Sequence, residues 1–176
     1  MQVASVKQRV DTRLTELVLE LVDELRIEDR CRNPKTGVVL AEELGLNAPA
    51  FSRFVTVVKA LGLVREDKMG KLQSTGFNFE LPVFQPPNAD EAKALAYYEE
   101  FVFPFFAPTV LLNSLRTGKT QWREALKLDS DNLFDAYSHH PQLLKRFMLW
   151  MDMRNDAESG DLARTLRLAS GEIVLD

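Results

Sequence analysis

The residues that could carry chemistry in this chain are few, and most stand in the wrong company. Gly118-Lys119-Thr120 has the residue types that close a phosphate-binding loop. That loop also needs a glycine five positions before Gly118, and position 113 is Asn; without it the backbone cannot curl its N–H groups around a phosphate. Asp129-Ser130-Asp131-Asn132 starts like a calcium loop, but its sixth position is Phe134 and its twelfth is His140 in place of glutamate, so the run reads as a helix N-cap. His139 and His140 are adjacent. Neighbouring side chains diverge on most backbones, and no Cys-His or His-x-x-x-His spacing surrounds them, so an exposed or capping role is expected in place of a metal or general-base role. Cys31 is the single cysteine, which excludes an internal disulfide and a cysteine-based zinc site; with no evident base partner it reads as inert. The paired carboxylates Glu42-Glu43 and Glu99-Glu100 read as solvated helix faces. No Ser/His/Asp arrangement is evident. From these motifs no metal-ligand set and no cofactor-cradling loop is expected.

The elements that would position any site are predominantly helical. The 176 residues carry 45% hydrophobic and 27% charged side chains, values of a soluble globular protein able to bury a core of its own. No apolar run reaches the ~18–20 residues of a membrane span, and the N-terminus lacks the apolar centre of a signal peptide, so a cytoplasmic location is the default. The net charge is −4, without the basic excess of a nucleic-acid binder. The eight glycines never stand closer than six apart, which leaves no glycine-rich cradle for a nucleotide-type cofactor.

Val3, Val6, Val10, Leu14, Leu17, Leu21 and Leu25 recur at three- and four-residue steps and predict a long amphipathic helix, wide enough in its apolar stripe to pair with a second subunit. Asn33-Pro34-Lys35-Thr36-Gly37 reads as a turn. A short helix over Val38–Leu44 ends at Gly45. Asn47 can cap a second helix, about Ala48–Leu61, with Pro49 in its first turn and Phe51, Phe54, Val55, Val58 and Leu61 inward. Gly62 closes it. Leu63–Glu66 and Lys71–Thr75 then form a hairpin about Asp67-Lys68-Met69-Gly70. Helix, short helix, turn, second helix and hairpin is the order of a winged helix. The fold class expected is thus mainly α: a winged-helix domain with a small hairpin wing and additional helices forming a dimerisation surface.

Beyond Pro82, Pro86 and Pro87, Asn88 or Asp90 starts a helix through Glu100. Phe101, Phe103, Phe105 and Phe106 follow, interrupted by Pro104 and then Pro108, where a kink or break is expected. This aromatic run reads either as a buried core helix or as a surface for a partner or an apolar ligand. Further helices are expected over Val110–Leu115, Trp122–Leu128 and Leu133–Tyr137, the last capped by Asp129-Ser130-Asp131. A helix over Gln142 to about Asp152 has Leu143, Leu144, Phe147, Met148 and Met151 on its apolar side. A short helix over Asp161–Leu168 precedes Gly171-Glu172-Ile173-Val174-Leu175-Asp176, a strand without an evident partner.

A winged helix raises the question of DNA. The helix over Ala48–Leu61 would enter the major groove, with Asn47, Ser52, Arg53, Thr56 and Lys59 outward. Residues 48–75 hold five basic and two acidic side chains, a small excess where about 6–10 phosphate contacts are common. Phe51 and Phe54 also stand in the helix's first two turns, where base-reading polar groups belong. A DNA-binding regulator is the alternative reading, and nucleic acid is not the expected partner.

Two stretches point elsewhere. Leu40-Ala41-Glu42-Glu43-Leu44-Gly45-Leu46 leads into Ala60-Leu61-Gly62-Leu63-Val64. Leu115-Arg116-Thr117-Gly118-Lys119 is followed by Leu133-Phe134-Asp135-Ala136-Tyr137 and Phe147-Met148-Leu149-Trp150-Met151. In this order and spacing the chain resembles, over nearly its whole length, the N-terminal dimerisation domain of S-adenosylmethionine-dependent O-methyltransferases of the plant caffeate and bacterial polyketide-tailoring types. The resemblance implies a winged helix without a DNA role, intertwining two subunits and contributing a lid over an acceptor pocket. Residues 1–155 would form that dimerisation and lid domain. Residues 156–176 would supply a connector helix and, at Ile173-Val174-Leu175-Asp176, the first strand of a second, Rossmann-like domain. That domain, absent here, would hold S-adenosylmethionine and the catalytic base. Phe147 and Met151 match the family's Phe-x-x-x-Met pattern at the acceptor pocket and Trp150 lies beside it, so these three are the expected substrate-binding residues for a small aromatic or polyketide hydroxyl. The expected partners are a second copy of the chain and a separate catalytic domain. A scaffold that docks a separate catalytic chain is a third reading.

Overall fold

The structure is a computed structural model that describes residues 6–76, 80–130, 132–149 and 151–152. It is mainly helical with one small antiparallel sheet. The chain divides into two compact units, Met1–Asp131 and Asn132–Asp176. Val3, Trp150 and the segment 156–176, with the expected terminal helix and strand, lie outside the described residues.

Unit 1 begins with α1 (Val6–Glu24), which buries Val10, Leu17, Val18, Leu21 and Val22 along one stripe. The helix ends where Arg26 enters the left-handed region at φ 49°, a conformation non-glycine residues seldom adopt. A single turn, α2 (Ile27–Arg30), follows and leads to Cys31.

The next segment departs from the sequence reading. Lys35–Thr36, expected within a turn, forms β1 and pairs with a later strand through Lys35↔Leu72 and Thr36↔Lys71. Two residues are too few to show an alternating pattern, and the pairing comes from the partner strand. Thr36 then caps α3 (Gly37–Glu43). Asn47 begins α4 (Ala48–Ala60), its Oδ1 accepting from the Ala50 N–H at 3.1 Å, with Pro49 in the first turn. α4 buries Ala50, Phe51, Phe54, Val55 and Val58, the i, i+3, i+4, i+7 pattern of a core-facing stripe.

The hairpin is β2 (Val64–Glu66) and β3 (Lys71–Ser74), giving a sheet ordered β1-β3-β2. Its turn is fixed by Asp67, whose Oδ1 accepts from the N–H groups of Met69 at 2.8 Å and Lys71 at 2.9 Å. An Asp side chain placed this way mimics a backbone turn. The Thr75 hydroxyl donates to the Gly62 carbonyl at 2.6 Å and so ties the end of β3 to the end of α4.

α5 (Ala89–Phe101) starts with a reciprocal cap. Asn88 Oδ1 accepts from the Glu91 N–H at 2.9 Å, and Glu91 Oε2 accepts from the Asn88 N–H at 3.1 Å, satisfying two orphan donors at once. The prolines then break the chain as expected into α6 (Phe103–Phe106) and α7 (Pro108–Thr117), each with proline in its first turn. α8 (Trp122–Leu126) completes unit 1. The core gathers Leu21, Ile27, Leu40, Phe51, Val58 and Leu72 at its most buried positions, with Leu112 and Leu115 of α7 at its margin. α1 packs against α5, α6 and α7, and α4 against α3 and α7.

Unit 2 holds α9 (Leu133–His139) and helical residues 141–149 and 151–152. Within the run read as a cap, Asn132 does the capping: its Oδ1 accepts from the Phe134 N–H at 3.0 Å. Asn132 is the residue directly before the helix, where a short acceptor side chain reaches the first free N–H groups. No helix among the described residues is long and apolar enough to cross a membrane.

Candidate functional site

The three sequence-predicted acceptor residues belong to unit 2. Phe147 and Met151 are half-buried and one helical turn apart, which places them on one face. The Phe147 ring lies 5.0 Å from that of Tyr137, tilted by 35°. Tyr137 in turn meets Phe134 edge-on at 6.4 Å. Tyr137 is buried, and burial pushes its hydroxyl up to about 12, so it stays protonated at neutral pH. Phe134, Met148 and Leu149 are exposed at 76%, 52% and 55%. Around Phe147 unit 2 therefore presents aromatic and thioether side chains, which suits contact with a flat apolar molecule.

The other candidates are divided between the two units. Among the described residues, no three His, Cys, Asp or Glu side chains come together to hold a metal. His139 and His140 are exposed, at the end of α9. Cys31 is 1% exposed, and burial raises its thiol above the ordinary range, with Lys35 pulling it down and Glu28 pushing it up. A thiol held neutral and covered has no nucleophilic role. Glu43 is the acceptor of Lys35 Nζ at 2.7 Å. Gly118 is the left-handed cap of α7, at φ 71°, which accounts for the glycine that resembles a phosphate loop. The Asn47 N–H donates to the Leu115 carbonyl at 2.8 Å, joining the start of α4 to the last turn of α7.

The α4 face reads differently from the sequence expectation. Phe51 is fully buried and Phe54 is 6% exposed, so neither occupies the outward face, and their presence is no argument against DNA. Ser52, Arg53, Thr56, Val57 and Lys59 are outward. Lys59 is ion-paired with Glu66 of the hairpin, and Val57 and Met69 add apolar exposure of 44% and 75%. Both reduce the face's appeal to a phosphate backbone.

The aromatic run is divided in its role. Phe101 is buried, while Phe103, Phe105 and Phe106 are half-buried. Phe105 stands edge-on to Trp122 at 4.8 Å. Near them Arg9 is almost enclosed. Its guanidinium donates to the Gln85 carbonyl at 2.7 Å, lies 3.6 Å from Glu91 and sits over the Phe84 ring at 5.1 Å. Its Nε–H has no acceptor. The sequence reading missed this arginine because it looks like one more charge on the polar side of α1.

No family model, curated protein or solved structure matches this chain.

Proposed function

We propose that this chain is the non-catalytic pairing and acceptor-lid portion of an S-adenosylmethionine-dependent O-methyltransferase acting on a small aromatic or polyketide hydroxyl, built on a winged helix. The order β1–α3–α4–β2–β3, with β3 between the other strands, supports the winged-helix reading. The observation that carries the pairing role is that α1 and the aromatic α5–α6 segment pack side by side. The two stretches singled out from sequence for subunit contact thus form one neighbourhood, with Phe103 and Phe105 only half-covered. Apolar area of this kind favours association. Phe147 and Met151, with Trp150 next to them in sequence, are the proposed acceptor contacts, and the exposed Met148 flanks that apolar face.

The methyl donor needs a cradle of its own. The glycines with positive φ in the described residues, at 45, 62, 70, 76 and 118, stand as single caps and turns and do not fit a phosphate- or nucleoside-binding loop. The donor is assigned to a separate catalytic domain.

Sedimentation equilibrium tests pairing: the chain should run as a dimer, and Phe103→Asp should split it. A stable monomer at tens of micromolar would overturn the pairing role. Placed in a complete enzyme, Met151→Ala should weaken acceptor affinity, and unchanged affinity would remove the lid assignment.

A second reading has one observation in its favour. With Phe51 and Phe54 turned inward, the outer face of α4 is open to a duplex through Ser52, Arg53 and Thr56. Salt-sensitive duplex binding in a mobility-shift assay would favour a winged-helix regulator over the methyltransferase reading.

A further inference from the structure

Between α4 and α7 unit 1 contains a cleft of about 340 Å³. Its walls are apolar: Phe54 and Val57 of α4, Phe105 and Phe106 of α6, and Leu111 of α7. The polar groups are confined to a few positions. Arg53 and Lys119 both line the cleft and both are exposed, so their charges stand at its mouth over an apolar interior. No acidic side chain lines it, and among the described residues no carboxylate pairs with either cation. The Thr120 side chain and Ser114 add hydroxyls nearby.

This is the composition of a site for a small apolar acid. Ligand sites are clefts of about 300–1,000 Å³ with mostly apolar walls and a few convergent polar groups that fix orientation. Two lining cations with no acidic side chain on the lining and, among the described residues, no ion pair give the cleft a positive potential, which selects the sign of the ligand's head. The contrast with the neighbouring cleft is instructive. That one, about 470 Å³, is lined by Arg9, Arg13 and Glu99. Arg9 already faces Glu91 at 3.6 Å, and Arg13 donates to Glu16 at 2.8 Å. Its cations are answered within the protein, whereas those of the α4–α7 cleft are not.

We infer that the α4–α7 cleft binds a flat apolar molecule bearing one anionic head, with the ring system against Phe54, Phe105 and Phe106 and the head between Arg53 and Lys119. The inference does not rest on the acceptor assignment, because none of its walls includes Phe147, Trp150 or Met151, although it shares Phe105 with the proposed pairing surface. The Gly118 cap helps to build the mouth: it ends α7 and turns the chain so that Lys119 and Thr120 follow at the rim.

Titration calorimetry on the full chain tests it, with 2-naphthoate as the anionic probe and 2-naphthamide as its neutral counterpart. Naphthoate should bind in the sub-millimolar range and about tenfold more tightly than the amide, about threefold from each rim cation. The double variant Arg53→Gln with Lys119→Gln should bring naphthoate down to the level of the amide. Val57→Trp, at a position that is 44% exposed, should fill the cleft and remove binding of both probes. All three positions face solvent, so circular dichroism should show the fold unchanged. Equal affinity for the two probes, selectivity that survives in the double variant, or no heat from naphthoate at millimolar concentration would each overturn the inference.

Discussion

Gly118→Ala is the sharpest single perturbation the structure offers. Gly118 ends α7 with φ 71°, and a Cβ built there would lie 2.9 Å from both Cγ and Oδ1 of Asn47. Two separate costs follow. A side chain in the left-handed region costs about 1 kcal/mol. The clash is relieved only if the Asn47 side chain swings away, and that leaves the Ala50 N–H without its acceptor, a lost N-cap worth about 1 kcal/mol. The variant should therefore lose about 2 kcal/mol, read from urea unfolding followed by circular dichroism. The two costs can be separated. In an Asn47→Ala background the cap is already gone and the clash is removed, so Gly118→Ala should cost only the left-handed term. The double-mutant cycle should then show a coupling of about 1 kcal/mol between positions 47 and 118. A Gly118→Ala protein within about 0.5 kcal/mol of wild type, or a cycle additive to that margin, would refute the reasoning.

Three further outcomes are expected. Cys31 should resist Ellman's reagent in the folded chain and react promptly in denaturant, and a fast native reaction would contradict its burial; because its folded thiol ionises later than in the unfolded chain, its contribution to stability is intact at neutral pH and declines as pH rises past the ordinary thiol range. Tyr137 should give the late step in a 295 nm titration, near pH 12, a step absent in Tyr137→Phe; its linkage has the same sign, with stability falling as pH rises from the ordinary tyrosine range toward 12. Arg9→Ala should destabilise by about 2 kcal/mol, since it removes the donor to Gln85 and strands Glu91, whose side chain is only 12% exposed; a change within experimental error would show that the enclosed ion pair is energetically idle.

What could be read from the residues was what local rules govern. The Phe51, Phe54, Val55, Val58 spacing, the Asn47 cap and Pro49 placed α4 almost to the residue, and Pro104 and Pro108 marked the breaks on either side of α6. What escaped was tertiary. β1 exists because β3 pairs with it, and nothing in Lys35–Thr36 says so. Arg9 becomes a buried group only when the 84–91 segment folds over it. The inward turn of Phe51 and Phe54 follows from their spacing with Val58, and the same periodicity keeps them off the outer face. Of the candidate acceptor residues, Phe147 and Met151 share a face through simple helical spacing, while the ring of Tyr137 beside Phe147 could not be foreseen.

The sheet's outer members are two and three residues long, flanking a middle strand of four. A foreign strand would find almost no unpaired backbone ladder to extend. Among the described residues, this sheet can thus stand at the surface without offering copies of the chain a long edge to extend.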